Sequence, residues 1–262
     1  MVEEKYLIQM KNIHKFFGEV HALRGVDLAI GPNEVVGLIG DNGAGKSTLV
    51  KILSGVYPWD EGEIFIEGKK IDKRTFSVKK AREYGIEVVY QERALAEKLC
   101  LWRNIYMGRE LSGRLGFLRI PEMKANSNKV MKERLGFTSS AVTADARVSV
   151  FSGGEKEGVA IARALLFEAK LIILDEPTVG LSTLEVQEVL NFVKKIKETN
   201  RSCLFISHNI YHVYPVADRF ALLDRGKIVD EFEKANVTLK EIEDKMARVA
   251  EMARVGKGRI ES

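Results

Sequence analysis

At 262 residues the chain is long enough for one large domain or two small ones with a substantial core. Its 45% hydrophobic and 30% charged residues exclude a disordered protein. Lys+Arg of 41 against Asp+Glu of 37 leaves +4, too balanced a charge to imply a nucleic-acid partner.

Cys100 and Cys203 lie far apart without metal-ligand spacing and read as reduced thiols of a cytosolic protein. No apolar run reaches the roughly 18 residues a bilayer span needs. The opening "MVEEKYLIQM" lacks the layout of a signal peptide. The expectation is a cytoplasmic protein that reaches any membrane through a partner.

In chain order, "YLIQMKNI", "GVDLAI" and "GEIFIEGKKI" alternate with period two and predict half-buried antiparallel strands. "EVVGLIG" (34–40) is a buried-strand run, and "KSTLVKIL" (46–53) reads as the helix that follows it. The basic residues of 69–82 carry no aromatics at base spacing and read as a solvated face. "GIEVVY" (85–90) is a further strand.

Strand signals then vanish. "LWRNIYMGREL" and "PEMKANSNKVMKERLGF" are helical in pattern, which predicts a helical subdomain inserted at about residues 93–165 of one α/β domain spanning 1–262. "LIILD" (171–175), "CLFIS" (203–207) and "RFALLD" (219–224) return to buried strands. "TLKEIEDKMARVAEMARV" (238–255) predicts a packed terminal helix. The fold class is therefore α/β with a mainly parallel sheet and an N-terminal antiparallel β subdomain.

"GDNGAGKST" (40–48) fits G-x-x-x-x-G-K-[ST], with a strand before it and a helix after it. Gly40, Gly43 and Gly45, with Asp41, Asn42 and Ala44 between them, let backbone N–H groups turn inward on phosphates, and the helix N-terminus adds its positive dipole end. Lys46 is placed to reach the β- and γ-phosphates, and Ser47, beside Thr48, to ligate Mg²⁺. This marks the core as a P-loop NTPase of the RecA-like kind.

"LIILDEP" (171–177) ends a buried strand in two carboxylates beside such a loop. Asp175 would support Mg²⁺, and Glu176 would face the γ-phosphate and polarise a water. "VFSGGEKEGVAIARALL" (150–166) is a second phosphate-like helix start, but no lysine follows it. Ser152 and Glu155 fit a capping box, worth about 1 kcal/mol. Gly153 and Gly154 disfavour a helix start by up to about 1 kcal/mol each and predict close approach of a ligand to the backbone.

The ordered set of P-loop, Gln91 in "VVYQE", "FSGGE" (151–155), "LIILDEP" and His208 in "FISHN" resembles the nucleotide-binding subunit of ABC transporters over essentially the whole chain. The resemblance implies that ATP is bound with Mg²⁺. It implies that Phe17 in "KFFG" stacks on adenine, with Phe16 the competing choice, and that Gln91 touches Mg²⁺ and the attacking water. His208 would be the switch that contacts the γ-phosphate, while His14, His21 and His212 keep surface or packing readings. Residues 152–155 would face the γ-phosphate held by another subunit, so the working unit would be a homodimer or a pair with a similar ATPase. Two departures stand out: Ser182 replaces the aspartate that couples the two subunits in many relatives, and Glu155 stands where glutamine is commoner.

"RNIYMGREL", "GGEKEGVAIARAL" and "HNIYHVYPVADRFALLDRGKIV" look most like carbohydrate-uptake ATPases. That implies an integral-membrane permease met through residues 93–110, a solute-binding protein outside, and a place on the inner face of the cell membrane. An exporter or lipid-handling ATPase is the alternative. A soluble DNA-repair ATPase is less favoured, because the roughly sixty residues between 91 and 152 leave no room for a coiled-coil arm.

Overall fold

The computed structural model describes residues 6–90 and 95–257, the last six by their backbone alone. Strands β1 (Ile8–Phe17) and β2 (Val20–Ile30) form an antiparallel hairpin. The next strand, β3 (Val35–Ile39), belongs to a second sheet and leads into helix α1 (Lys46–Leu53). The chain returns to the first sheet with β4 (Glu61–Ile66) and the short edge β5 (Lys69–Lys70), giving the order β2-β1-β4-β5.

The period-two pattern of β1 is interrupted. Ile8 and Met10 are buried, then register shifts between Met10 and Ile13 and between Ile13 and His14 move the buried positions to Ile13 and Lys15, and a third shift falls between Lys15 and Phe16. Each bulge turns the following side chains to the other face.

Helix α2 (Val78–Glu83), capped by Ser77, carries the end of the basic stretch. Lys80 pairs with Glu83 at 2.7 Å, Lys70 pairs with Glu63, and Lys73 donates to the Asp60 carbonyl at 2.7 Å. These lysines are thus spent on local acids and carbonyls.

Strand β6 (Ile86–Val89) precedes the helical stretch of α3 (Leu101–Tyr106), α4 (Ile120–Lys129), extended by a π-helical turn at Val130–Arg134, and α5 (Gly153–Leu166). The helical pattern of "LWRNIYMGREL" is cut short at Tyr106, because Met107 is extended and Gly108 is left-handed (φ 74°). The remainder is β7 (Leu171–Asp175), α6 (Thr183–Glu198), β8 (Ser202–Ser207), α7 (Ile210–Val213), β9 (Arg219–Asp224), β10 (Lys227–Glu233) and α8 (Leu239–Lys257).

The second sheet has the order β10-β9-β3-β8-β7-β6, parallel except for β10. Strands β3, β7 and β8 are buried along their whole length. Alternate residues feed two cores: Ile39, Leu174 and Phe205 pack towards α5 and α6, while Leu38, Ile173 and Ile206 pack with Leu49 of α1 and Ile13 of the antiparallel sheet. Burial on both faces is why these strands read as continuous apolar runs. Each fully buried Leu, Ile or Phe contributes about 1.5–3 kcal/mol. The carboxyl ends of β3, β7 and β8 lie side by side, with Ile39 opposite Ser207 and Asp175 opposite Ile206.

Candidate functional site

The turn 40–45 leaves β3 at its carboxyl end and enters α1. Gly45, the cap of α1, has φ 112°, and a Cβ there would sit 2.9 Å from Leu23 Cδ2 and 3.1 Å from the Ala22 carbonyl. Glycine is therefore required by conformation and by space. No side chain caps the helix, so its first-turn N–H groups face the cleft without a side-chain acceptor. The cleft has a volume of about 770 Å³ and is lined by residues 41–48, Glu176, Val20, His21, Ala22 and Arg24 of β2, and Asp224, Arg225 and Ala250. That size suits a nucleotide-sized ligand.

Lys46 is buried, and its Nζ donates to the carbonyls of Gly40 (2.7 Å) and Asp41 (3.1 Å). The same Nζ lies 3.6 Å from Glu176 Oε1, and Glu176 Oε2 lies 3.0 Å from His208 Nδ1. Lys46, Glu176 and His208 therefore form one polar chain across the ends of β3, β7 and β8. Glu176 holds φ 52°, an uncommon backbone region for a residue with a side chain, and its N–H is anchored on the Ile206 carbonyl at 3.0 Å.

Asp175, the last residue of β7, is buried beside it. Burial pushes the Asp175 carboxyl above its usual range, the Glu176 charge pushes it further, and Lys46 and Lys51 partly offset both. Among the described residues no group of three or more His, Cys, Asp or Glu side chains could hold a metal by itself. Asp175 and the exposed Ser47 nonetheless suit a hard cation that takes phosphate oxygens for its remaining ligands, and a cation there would relieve the crowding of the two carboxylates.

Phe17 is 42% exposed, edge-on to Tyr57 with ring centroids 5.4 Å apart, and does not line the cleft. Phe16 stacks on His21 at 4.1 Å, and His21 does line it. Neither phenylalanine lines the cleft itself, and Phe16 reaches it only through His21. Gln91 lies outside the described residues.

At the start of α5 both halves of the capping box are formed: Glu155 N–H donates to Ser152 Oγ at 3.1 Å and Ser152 N–H to Glu155 Oε2 at 2.9 Å. No residue of 151–155 is among those lining this chain's own cleft. The two glycines have an intrachain reason that the sequence did not reveal. A Cβ on Gly153 would meet Glu185 Oε1 at 2.5 Å, and one on Gly154 would meet Glu188 Oε2 at 1.9 Å. Gly154 N–H donates to Glu185 Oε1 at 3.3 Å, while Glu185 Oε2 accepts from the N–H and hydroxyl of Ser182 at 2.9 Å each. Ser182 is therefore the cap of α6, and the carboxylate missing at its position is present one turn later.

His212 joins the same neighbourhood. Its Nδ1 is 2.9 Å from the hydroxyl of buried Thr178, two residues after Glu176. From the sequence His212 has only a surface or packing reading, and its contact to Thr178 spans 34 residues that no local pattern links.

The ABC transporter family profile matches residues 23–179. A xylose/arabinose import ATP-binding protein of Sulfolobus acidocaldarius is 41% identical over 244 residues, covering 93% of this chain and 95% of that protein. A ribose import ATP-binding protein of Clostridium tetani is 39% identical over 90% of this chain, which spans 46% of that longer protein. Among solved structures, a nucleotide-free ATP-binding cassette from an ABC transporter superposes with a TM-score of 0.77 at 25% identity, covering 94% of this chain and 98% of that one. A dimeric bacterial ABC transporter cassette superposes with a TM-score of 0.72 at 26% identity, covering 87% and 98%. Profile, relatives and fold agree with the P-loop at the end of β3 and the acid pair at the end of β7: the chain is an ATP-binding cassette of the ABC transporter family.

Proposed function

We propose that this cassette binds and hydrolyses ATP to drive the import of a sugar, working as a pair with a second copy or a similar cassette. The observation that carries the catalytic part is the polar chain of Lys46, Glu176 and His208, of which Lys46 and Glu176 line the cleft. Glu176 is held between a lysine and a histidine. When phosphates enter the turn 40–45, Lys46 exchanges the Gly40 and Asp41 carbonyls for phosphate oxygens. Its hold on Glu176 then loosens, and the carboxylate is free to accept a proton from water positioned in line with the γ-phosphate. His208, bonded to the other oxygen of Glu176, keeps the carboxylate aimed. Ser47 and Asp175, with Gln91 by resemblance, would hold Mg²⁺, which supplies neutralisation of phosphate charge when bound.

Pairing is supported by the place of residues 152–155, a helix start with phosphate-binding character that does not line this chain's cleft. Two-fold pairing brings that start onto the nucleotide of the other chain and completes two sites at once. Sugar import is supported by the relatives, whose names specify xylose/arabinose and ribose import. No helix among the described residues is long and apolar enough to cross a membrane. In this reading the cassette sits on the inner face of the membrane against a permease, which receives its sugar from a solute-binding protein outside. Lys46→Ala and Glu176→Gln should each lower the ATPase kcat by at least about 100-fold in a steady-state phosphate-release assay. Equal rates in wild type and both variants would remove the catalytic assignment.

A further inference from the structure

Helix α7 is only four residues long, yet it meets the catalytic loop at two points. His208, just before it, holds Glu176, and His212, within it, holds Thr178. The hydrogen-bond roles at His212 follow from its neighbours. Tyr211 N–H donates to Asn209 Oδ1 at 3.0 Å, which fixes the Asn209 amide so that Nδ2 points to His212 Nε2 at 3.3 Å. His212 Nε2 is thus the acceptor, Nδ1 carries the proton, and the ring donates to Thr178 Oγ1 at 2.9 Å. A neutral ring is the form this chain requires. Burial and the nearby His208 both lower the His212 pKa, opposed by Glu176, and so favour that form.

The support beneath this chain is firm. A Cβ on Gly37 of β3 would lie 2.4 Å from Val213 Cγ1, so glycine there admits α7 onto the sheet. Thr178 is 4% exposed. The Leu181 N–H donates to the Thr178 carbonyl at 3.4 Å and the Val179 N–H to that of Glu176 at 3.3 Å. A side chain that fixes Thr178 therefore fixes the turn in which Glu176 takes its left-handed backbone conformation.

We propose that His212 is a positioning residue for ATP hydrolysis: the chain from Asn209 through His212 to Thr178 clamps the segment after Glu176 and so aims the Glu176 carboxylate. The inference rests on the reading of Glu176 as the residue that polarises the attacking water. Both ring nitrogens of His212 are engaged within the chain, Nδ1 on Thr178 and Nε2 on Asn209, which leaves neither for nucleotide. Its loss should therefore fall on kcat.

The test is steady-state ATP hydrolysis by the full chain carrying Glu176→Gln, His212→Ala, His212→Asn, His212→Gln, Thr178→Val, or His212→Ala with Thr178→Val. His212→Ala should lower kcat between about 10- and 100-fold, with KM for ATP within about twofold of wild type, as expected for a misaimed group. Thr178→Val should show a similar loss, and the double variant no more than either alone. His212→Asn, whose amide nitrogen sits where Nδ1 does, should recover most of the lost kcat, and His212→Gln should not. Wild-type kcat in folded His212→Ala, a loss confined to KM, equal behaviour of Asn and Gln, or losses that multiply in the double variant would each overturn the proposal. Should His212→Ala fail to fold, Thr178→Val carries the same test, and an unchanged kcat there overturns it. If Glu176→Gln is inactive while His212→Ala is not impaired, the positioning role alone fails. If Glu176→Gln hydrolyses ATP at the wild-type rate, the underlying reading fails with it.

Discussion

Asp175 and Glu176 are adjacent carboxylates in different electrostatic situations. Glu176 has Lys46 and His208 on its two oxygens, whereas Asp175 is buried with a like charge next to it. Because the folded-state pKa of Asp175 lies above its unfolded value, its ionised form costs stability at neutral pH. The cost is absent below the ordinary carboxylate range and grows as pH rises through the raised folded value. Asp175→Asn should therefore raise the Tm of the nucleotide-free chain at pH 7 and not at pH 3.5, while lowering ATPase activity. An unchanged or lower Tm at pH 7 in thermal denaturation would contradict this electrostatic account.

At this scale the P-loop and the acid pair were legible because their chemistry is written in contiguous residues. The choice between Phe16 and Phe17 was not, because three register shifts between β1 and β2 set the faces on which these rings lie. Glu185 and His212 were missed for a different reason. Their contacts to Gly154 and Thr178 join residues 31 and 34 positions apart, through packing that no local pattern encodes.

Among the elements, α5 shows how stability and function separate. Its cap is complete within the chain, so Ser152→Ala removes one hydrogen bond of a formed box. The expected cost is about 1 kcal/mol, or about 2–4 °C in Tm by calorimetry. The same variant should abolish ATP-dependent pairing, because in the proposed pair Ser152 is also the side chain offered to the other chain's nucleotide. Loss of pairing without a large fall in Tm marks the second role, and unchanged pairing would leave Ser152 as a cap only.

Gly37→Ala makes the converse case. It places a methyl against Val213 and Phe220 and should cost about 1–3 kcal/mol in denaturant unfolding. Wild-type stability in that variant would mean that α7 shifts freely on the sheet.

Element types were read well where an apolar run was buried on both faces, as in β3, β7 and β8. They were read poorly at the edges. Strand β10 alternates between half-buried and exposed positions and carries three acids in seven residues, Asp230, Glu231 and Glu233, so no apolar run announced it.

For the whole molecule, the division into an antiparallel sheet and a mainly parallel one was legible from the change of hydrophobic period along the chain. The assembly is less directly written. A phosphate-binding turn with its lysine and a second helix start without one lie on one chain, and the second does not line the cleft of the first. In the free chain Glu185 bonds Gly154 N–H at that second helix start, so one carboxylate already occupies a donor there. The proposed pairing would bring a nucleotide's γ-phosphate to the same turn.

The most direct test is sedimentation of the Glu176→Gln chain at micromolar concentration with saturating ATP and Mg²⁺. The account predicts a stable dimer that returns to monomer when ATP is withdrawn or when Lys46→Ala is added. A chain that stays monomeric at saturating ATP would contradict the two-chain site.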